Sequence, residues 1–206
     1  DGMIAGVIAV SDVPRSDAKE TVNRLKEMGF RVMLLTGDQS NSAQAIAQHV
    51  SIDPSNVIAG VRPDGKANAI AQLQAQGNRV AMVGDGINDG PALAQADVGI
   101  SLHAGTDVAR ETAGIILMHV SAASPQNVRL LDVVEAIELS RATFNKIRQN
   151  LFWAFGYNTI GIPAACGLLL PNFGILLNPA AAGALMAFSS VSVVTNSLLL
   201  RRAFKV

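Results

Sequence analysis

The sequence has little of three things: cysteine, aromatic side chains and, in its last third, charge. Its single cysteine, Cys166, excludes an internal disulfide framework and a CxxC metal site. Aromatic residues make up 4% of the chain, and no basic patch is interleaved with them, so we expect no nucleic-acid partner. The first residues are apolar but short and have no basic start, which argues against a signal peptide.

Charge is missing from a single long window. Residues 151–200 contain no Asp, Glu, Lys, Arg or His. Two apolar stretches within it, 151–170 and 179–200, have the length of about 20 residues that a membrane-spanning helix needs. A buried core helix is the alternative, but such a helix seldom lacks charge on every face. We therefore predict a transmembrane helical hairpin that contacts membrane lipid.

Basic residues flank both outer ends of this hairpin, whereas the connection 171–178 is uncharged. They are Lys146, Arg148, Arg201, Arg202 and Lys205. Positive charge favours the cytoplasmic side, so both termini are expected in the cytoplasm of a multi-pass protein of the cell membrane.

The first 120 residues alternate between strand-like and helix-like patterns. Apolar runs at 4–10, 32–35, 79–83, 98–102 and 115–118 indicate strands. Helical periodicity separates them, with Ser16 and Asp17 as plausible caps of the first helix, and short helices at 43–50 and 66–75. This alternation predicts an α/β fold with a parallel, Rossmann-like sheet. We divide the chain into a cytoplasmic unit (1–124), a linking helix (125–149) and a membrane part with a short basic tail (150–206).

Polar clusters follow two of the predicted strands, where the site of a parallel sheet is expected. Thr36-Gly37-Asp38 follows the run 32–35, and Gly84-Asp85-Gly86-Ile87-Asn88-Asp89 follows 79–83. Mg²⁺ prefers carboxylate and phosphate oxygens, which Asp85 and Asp89 suit. Thr36 offers a hydroxyl and a backbone N–H to a phosphoryl oxygen, and Lys66 can neutralise charge that develops in phosphoryl transfer.

Each of these residues also has a simpler interpretation. Asp85 or Asp89 could only cap the following helix, and Lys66 could be a solvated surface residue. Their occurrence together, in this order and at the edges of predicted elements, favours a phosphate site.

At these residues the chain resembles the P-type ATPases, within the haloacid-dehalogenase-like phosphotransferase superfamily. The motifs are D-x-x-R at 12–15, M-L-L-T-G-D at 33–38, M-V-G-D-G-I-N-D at 82–89 and G-T-D-V-A at 105–109. The resemblance implies that Thr36 contacts phosphate with its neighbours Gly37 and Asp38, that Lys66 neutralises charge, and that Asp85 binds Mg²⁺ with support from Asp89. Gly84, Gly86 and Asn88 complete the supporting loop.

The chain also departs from the pattern of these ATPases. His103-Ala104 stands where glycine is usual before the GTD motif, and Ala113-Gly114 stands where an Ala-Asp pair is common. The aspartyl-phosphate motif DKTGT is absent, as are the nucleotide-binding domain, the actuator loop and the Cys-Pro-Cys helix. We therefore expect a C-terminal portion of a pump, whose ATP is bound mainly by domains outside this sequence and which alone does not turn over ATP.

Polar residues inside the two predicted spans point to a transported ion. Tyr157-Asn158 and Met186-x-x-Ser189-Ser190 resemble the paired signatures of copper(I) pumps. The thioether of Met186 suits a soft monovalent ion, and Ser190 shares its helix face. Helix packing is the alternative for each residue alone. Cys166 is eight residues beyond Asn158, too far along a helix for one ion to contact both.

The sequence thus predicts part of an ATP-driven copper(I)-exporting P-type ATPase, with Mg²⁺ and ATP as cofactors, Cu⁺ as the transported ion and a copper chaperone as a candidate partner. Three alternatives remain: a zinc or cadmium pump of the same type, a membrane-anchored phosphatase of the same superfamily, and a non-catalytic remnant. The phosphatase would need a DxD nucleophile, and Asp12-Val13-Pro14 lacks the second Asp.

Overall fold

The computed structural model describes residues 13–85, 89–102, 111–118, 129–167, 170–174 and 178–204. Helices and strands alternate through its first part, which confirms the predicted α/β class. Two compact units are distinguished, Asp1–Glu135 and Ala136–Val206. The boundary between them lies inside a long helix. The predicted division at 124 and 149 stays a prediction.

The elements of the first unit are short. They are α1 (Ala18–Glu27), β1 (Leu34–Leu35), α2 (Ser40–His49), a 3₁₀ turn (Pro54–Asn56), β2 (Val57–Ile58), α3 (Pro63–Ala75), β3 (Ala81–Gly84), α4 (Gly90–Gln95), β4 (Val98–Ser101) and β5 (Ile115–Ile116).

The described strands form two parallel sheets, of order β1-β2 and β3-β4-β5. Leu34 pairs with Val57, and Ala81 pairs with Val98. Parallel pairing confirms the prediction for the sheet. The predicted strand at 4–10 lies outside the described residues, and β2 was not predicted, since only two residues of it pair.

One hydrophobic core holds α1 and α2 together. Ala18, Val22, Ala47, Val50 and Ile52 form a buried cluster. Ala18 and Val22 lie one turn apart on α1, Ala47 lies on α2, and Val50 and Ile52 follow the end of α2. Four partly buried residues pack against the cluster: Leu34 of β1, Val57 of β2, Val32 just before β1, and Leu130. This packing fixes the frame from which β1 and its following loop project.

A close contact between α4 and β4 forms a second core. A Cβ on Gly99 would lie 2.5 Å from the backbone oxygen of Leu93, so only glycine lets the helix approach the strand here. Leu93, Ile100 and Ile70 are almost fully buried around it. The start of α4, and with it Asp89, is therefore held against the sheet.

The second unit consists of helices. The long helix α5 (Leu131–Ala165) is followed by α6 (Leu170–Phe173) and α7 (Pro179–Phe204). The predicted linking helix and first span are continuous in α5, but α5 ends at Ala165 rather than at 170. Gly167 has a φ of 85°, a left-handed conformation that glycine adopts without strain and that ends the helix. The connection 171–178, predicted as an uncharged turn, is helical in part because α6 extends into it.

Among the described residues, no helix is both long enough and apolar enough to span a membrane. The predicted hairpin is therefore not confirmed.

Candidate functional site

The loop after β1 closes on itself through Thr36. The Thr36 hydroxyl donates to Asp38 Oδ2 over 2.8 Å and accepts from the Asp38 backbone N–H over 3.1 Å. The Thr36 backbone N–H donates to the Ile58 carbonyl over 3.0 Å. The expectation that this N–H is offered to a phosphoryl oxygen is therefore wrong, because it continues the β1–β2 ladder. The Thr36 hydroxyl remains as the group that can contact phosphate. To do so, it must give up its hydrogen bond to Asp38.

The same loop is tied to the segment that leads into α3. Gly60 N–H donates to the Asp38 carbonyl over 2.8 Å, and Val61 N–H donates to the Thr36 carbonyl over 3.1 Å. Gly37 lies between these two anchors. Because α3 begins at Pro63, these bonds place the Thr36 loop beside the base of the helix that carries Lys66.

Lys66 and Asp89 are brought together as an ion pair. Lys66 Nζ lies 2.6 Å from Asp89 Oδ1, and the two side chains are 16% and 14% exposed. A largely buried ammonium is stabilised only when it has such a partner. The interpretation of Lys66 as a solvated surface residue is thus excluded. Asp89 does precede α4, but its side chain makes no capping hydrogen bond, which excludes a purely capping role for that carboxylate.

Gly84, the last residue of β3, leaves room for this carboxylate. A Cβ on Gly84 would lie 2.7 Å from Asp89 Oδ2 and 3.0 Å from Asp89 Cβ. Real Cβ atoms essentially never come so close to other atoms, so a side chain at this position would displace Asp89. The glycine is therefore part of the support for the Lys66–Asp89 pair.

Asp85 follows Gly84 directly and is partly buried. Gly86 and Asn88 lie outside the described residues. No group of three or more His, Cys, Asp or Glu side chains that could hold a metal occurs in the described ranges. Proteins bind Mg²⁺ through one or two carboxylates, while substrate phosphate and water supply the other ligands. The donor set, Asp85 with Asp89 nearby in the chain, fits that ion.

A hydrogen-bond network at the C-terminal end of α3 connects it to the residue before β3 and to the end of α4. Asp97 Oδ2 accepts from Gln74 Nε2 over 3.0 Å and from the Val80 N–H over 2.9 Å. Gln74 also donates to the Gln95 carbonyl over 3.1 Å. The hydrogen bond from Gln74, then that from Val80 and the charge of Arg79, lower the pKa of Asp97. Sequence reasoning missed these residues. The sequence signal that could have identified the network is Asp97, a carboxylate directly before a strand, where backbone N–H groups need acceptors.

The four residues predicted to contact copper lie on α5 and α7 of the second unit. Asn158 Nδ2 donates to the Ala154 carbonyl over 2.9 Å, and Ser190 Oγ donates to the Met186 carbonyl over 3.3 Å. Both bonds are local, within one helix turn. Met186 is 71% exposed. The Tyr157 ring lies 6.0 Å from that of Trp153. The described contacts therefore do not bring the four side chains together, and copper binding stays a prediction.

Comparisons with known proteins agree with this arrangement of elements. Residues 1–97 match the model of the haloacid dehalogenase-like hydrolases. Over 202 residues, 98% of the chain, it is 52% identical to the "Probable copper-transporting ATPase PacS" of Synechocystis sp. and covers 26% of that protein. It is 50% identical over 200 residues to the copper-exporting P-type ATPase of Vibrio cholerae, covering 97% of this chain and 21% of that one. The chain carries a haloacid-dehalogenase-like hydrolase domain, and its homologues are P-type ATPases.

A solved structure extends the similarity beyond this hydrolase domain. The crystal structure of a zinc-transporting PIB-type ATPase in the E2.Pi state matches with a TM-score of 0.73 and 36% identity, over 92% of this chain and 28% of that chain. The resemblance to P-type ATPases predicted from the sequence is thereby confirmed. The chain spans about a quarter of the length of the curated relatives it matches.

Proposed function

We propose that this chain is part of an ATP-driven copper(I)-exporting P-type ATPase, to which it contributes the magnesium and phosphate site and part of the copper pathway. The observation that carries the proposal is the largely buried Lys66–Asp89 pair beside Gly84. An ion pair with a purely structural role would not need the loops that follow β1 and β3, the first of which presents the Thr36 hydroxyl. A bound phosphoryl group needs the ion pair and these two loops.

The residues divide the work on a phosphoryl group. Lys66 supplies the positive charge, and Asp89 holds the ammonium in one position so that no reorganisation is needed when charge develops. Once its hydrogen bond to Asp38 is broken, the Thr36 hydroxyl orients a phosphoryl oxygen. Asp85 and Asp89 would hold Mg²⁺, which, when bound, neutralises phosphate charge.

Copper is proposed as the ion because of Met186. Its thioether is a soft ligand that suits copper(I) and offers little to Mg²⁺ or Ca²⁺. The side chain is 71% exposed, so its sulfur is accessible to an ion or to further helices of a complete pump. Two relatives at 52% and 50% identity carry names of copper transporters, whereas the solved zinc transporter is 36% identical. These values favour copper over zinc or cadmium.

Membrane insertion of residues 151–200 belongs to the same proposal. This window has no charged residue, and large apolar side chains are exposed along both of its long helices. Among them are Phe152, Phe155, Ile160, Phe188 and Val191. Contiguous apolar surface of this kind needs a cover, and lipid provides one.

Mutation of Met186 in a complete pump that carries this segment tests the copper assignment. Met186→Leu nearly conserves volume, so the helices should stay folded. We expect it to abolish copper-stimulated phosphorylation by ATP while phosphorylation from inorganic phosphate, which needs Asp85 but no transported ion, survives. Met118→Leu is the matched control, because Met118 is exposed in the first unit and should leave both reactions unchanged.

Two outcomes would contradict the proposal at different points. Normal copper stimulation in both Met186→Leu and Asn158→Ala would remove the copper assignment and leave the P-type relationship. Normal phosphorylation from inorganic phosphate in Lys66→Met would remove the phosphate site, since the charge at Lys66 is the central element of that site.

A further inference from the structure

The two long helices of the second unit each have one half-buried face. On α5 this face contains residues at helical spacing: Lys146, Asn150, Ala154, Tyr157 and Gly161. On α7 it contains Ser189, Ser192, Val193, Asn196 and Leu200. Most of their neighbours along each helix are exposed. The two faces therefore form the contact surface of the helix pair.

A cluster of hydrogen bonds joins the faces at one level. Asn196 Oδ1 accepts from Lys146 Nζ over 2.7 Å, and Asn196 Nδ2 donates to Asn150 Oδ1 over 2.8 Å. Asn150 Nδ2 in turn donates to Ser197 Oγ over 2.9 Å. Asn196 also donates to Gln149 Oε1 over 3.3 Å. The amide of Asn196 is thus the centre of the cluster, with both its donor and its acceptor in use.

The helices run antiparallel from this cluster. From Asn150 to the end of α5 at Ala165 is about 22 Å, and from Asn196 back to the start of α7 at Pro179 is about 26 Å. Helices running in the same direction would separate those ends by about 48 Å. The connection 166–178, shortened by α6, reaches only about 40 Å.

An antiparallel pair anchored at Asn150 and Asn196 has a defined register. Seven residues beyond Asn150 is Tyr157, and seven residues before Asn196 is Ser189, each about 10.5 Å from the cluster. Burial agrees, because both lie on the half-buried faces. The segment that contains Tyr157 is therefore level with the segment that contains Ser189.

We propose that Asn196, through its hydrogen bonds to Lys146 and Asn150, is a positioning residue that sets the register of α5 against α7 and so holds Tyr157 level with Ser189. The link to copper rests on the proposed function, whereas the register does not.

Asn196 sets the register, and the apolar residues do not, because polar and apolar contacts respond differently to a shift of one helix along the other. Small and branched apolar side chains such as Ala154, Gly161 and Val193 pack comparably after a shift of one helix turn. The half-buried amide of Asn196 does not, because a shift separates its donor and acceptor from their partners. A single buried asparagine fixes register in helix pairs for the same reason.

Cysteine cross-linking of the purified chain in detergent, in a Cys166→Ala background with iodine as the oxidant, measures this register. Ala154→Cys with Ser192→Cys is the level pair, since the two residues lie four positions from Asn150 and Asn196. Ala154→Cys with Ser189→Cys and Gly161→Cys with Ser189→Cys report shifts of about one turn in either direction. We expect the level pair to cross-link faster than both shifted pairs.

Asn196→Leu should then lower the rate ratio of the level pair to the shifted pairs by about tenfold, since the two shortest hydrogen bonds of Asn196, with Lys146 and Asn150, are lost and each is worth about threefold. Asn145→Leu makes the same change at an exposed position of α5 and should leave the ratio unaltered. Equal changes at all three pairs in Asn196→Leu would show a role in stability alone and overturn the proposal. The proposal would also be overturned if a shifted pair cross-linked faster than the level pair in the chain that retains Asn196.

This measurement uses neither copper nor ATP. Failure of the copper assignment, seen with Met186→Leu, would therefore leave the register result standing, and failure of the register would leave the phosphate site standing.

Discussion

The distance between Gly84 and Asp89 makes the candidate site sensitive to one methyl group. In Gly84→Ala the added Cβ would lie 2.7 Å from Asp89 Oδ2, so the carboxylate must move and its contact with Lys66 must lengthen. Misplacement of a site group by about 1 Å costs up to about a hundredfold in rate. We expect phosphorylation of a complete pump from inorganic phosphate to fall by about tenfold to a hundredfold.

Gly114→Ala is the control for this substitution. A Cβ there would lie 3.8 Å from the Gly99 carbonyl oxygen, an ordinary contact in the same unit. Its phosphorylation should equal that of the unaltered protein. If Gly84→Ala behaves like Gly114→Ala, the position of Asp89 does not govern the reaction.

The lowered pKa of Asp97 makes the stability of the fold depend on pH. The hydrogen bonds from Gln74 and Val80 lower its pKa in the folded state, so it stabilises the fold above its ordinary pKa of about 4. This stabilisation is lost as the pH falls through the lowered pKa. Asp97→Asn should thus be less stable than the unaltered chain at pH 7, and the difference should shrink below about pH 4.

Chemical denaturation followed by circular dichroism at a series of pH values measures this difference. Glu27→Gln, which neutralises an exposed carboxylate on α1, provides the comparison. A difference for Asp97→Asn that stays constant from neutral to acid pH would show that its charge is not what stabilises the fold.

At the residue scale, sequence reasoning identified Lys66 and Asp89 as site residues but not as direct partners. Their separation of 23 positions hides a contact that exists only because α3 and the start of α4 pack side by side. The backbone N–H of Thr36 was assigned wrongly for a related reason. Whether an N–H is free depends on the neighbouring strand, here β2, and only two residues of that strand pair.

At the scale of elements, long periodic segments were predicted well and short ones were not. Helix α4 has six residues, too few to show a helical period. Its signal was Asp89 followed by Pro91, the pattern of an N-cap with proline in the first turn. The early end of α5 followed from Gly167, a single residue in an apolar run that hydropathy treats like its neighbours.

The hairpin prediction concerns α5 and α7 as elements. Single cysteines at Asn172 and Lys205, in a Cys166→Ala background, should react with a membrane-impermeant thiol reagent from opposite sides of sealed vesicles. The reason is that basic residues flank both outer ends of the pair while the connection has no charge. Reaction of both from the same side would contradict the hairpin.

At the scale of the whole molecule, the alternation of elements was enough to predict parallel pairing. The grouping of strands into two described sheets was not predictable, because pairing partners depend on contacts far apart in the sequence. The charge-free window likewise predicted helices, although no helix of the described residues is long and apolar enough to span a membrane.

We also expect this chain alone not to turn over ATP. Thr36, Lys66, Asp85 and Asp89 support a phosphoryl group, but the chain has no DKTGT motif to supply an acceptor. Purified protein with Mg²⁺ and ATP should show neither copper-stimulated hydrolysis nor an acid-stable phosphoprotein. Robust copper-dependent turnover would contradict this expectation, and a complete homologous pump assayed in parallel verifies the conditions.

The contact between Trp153 and Tyr157 has an optical consequence. The chain has one tryptophan and one tyrosine, and both lie on α5 with ring centroids 6.0 Å apart. Intrinsic fluorescence excited at tryptophan wavelengths therefore reports the second unit alone, while the first unit is silent. Unfolding of the phosphate site would not be detected in such a measurement. An ion that approached Tyr157 would change the emission of Trp153, because the two rings are neighbours.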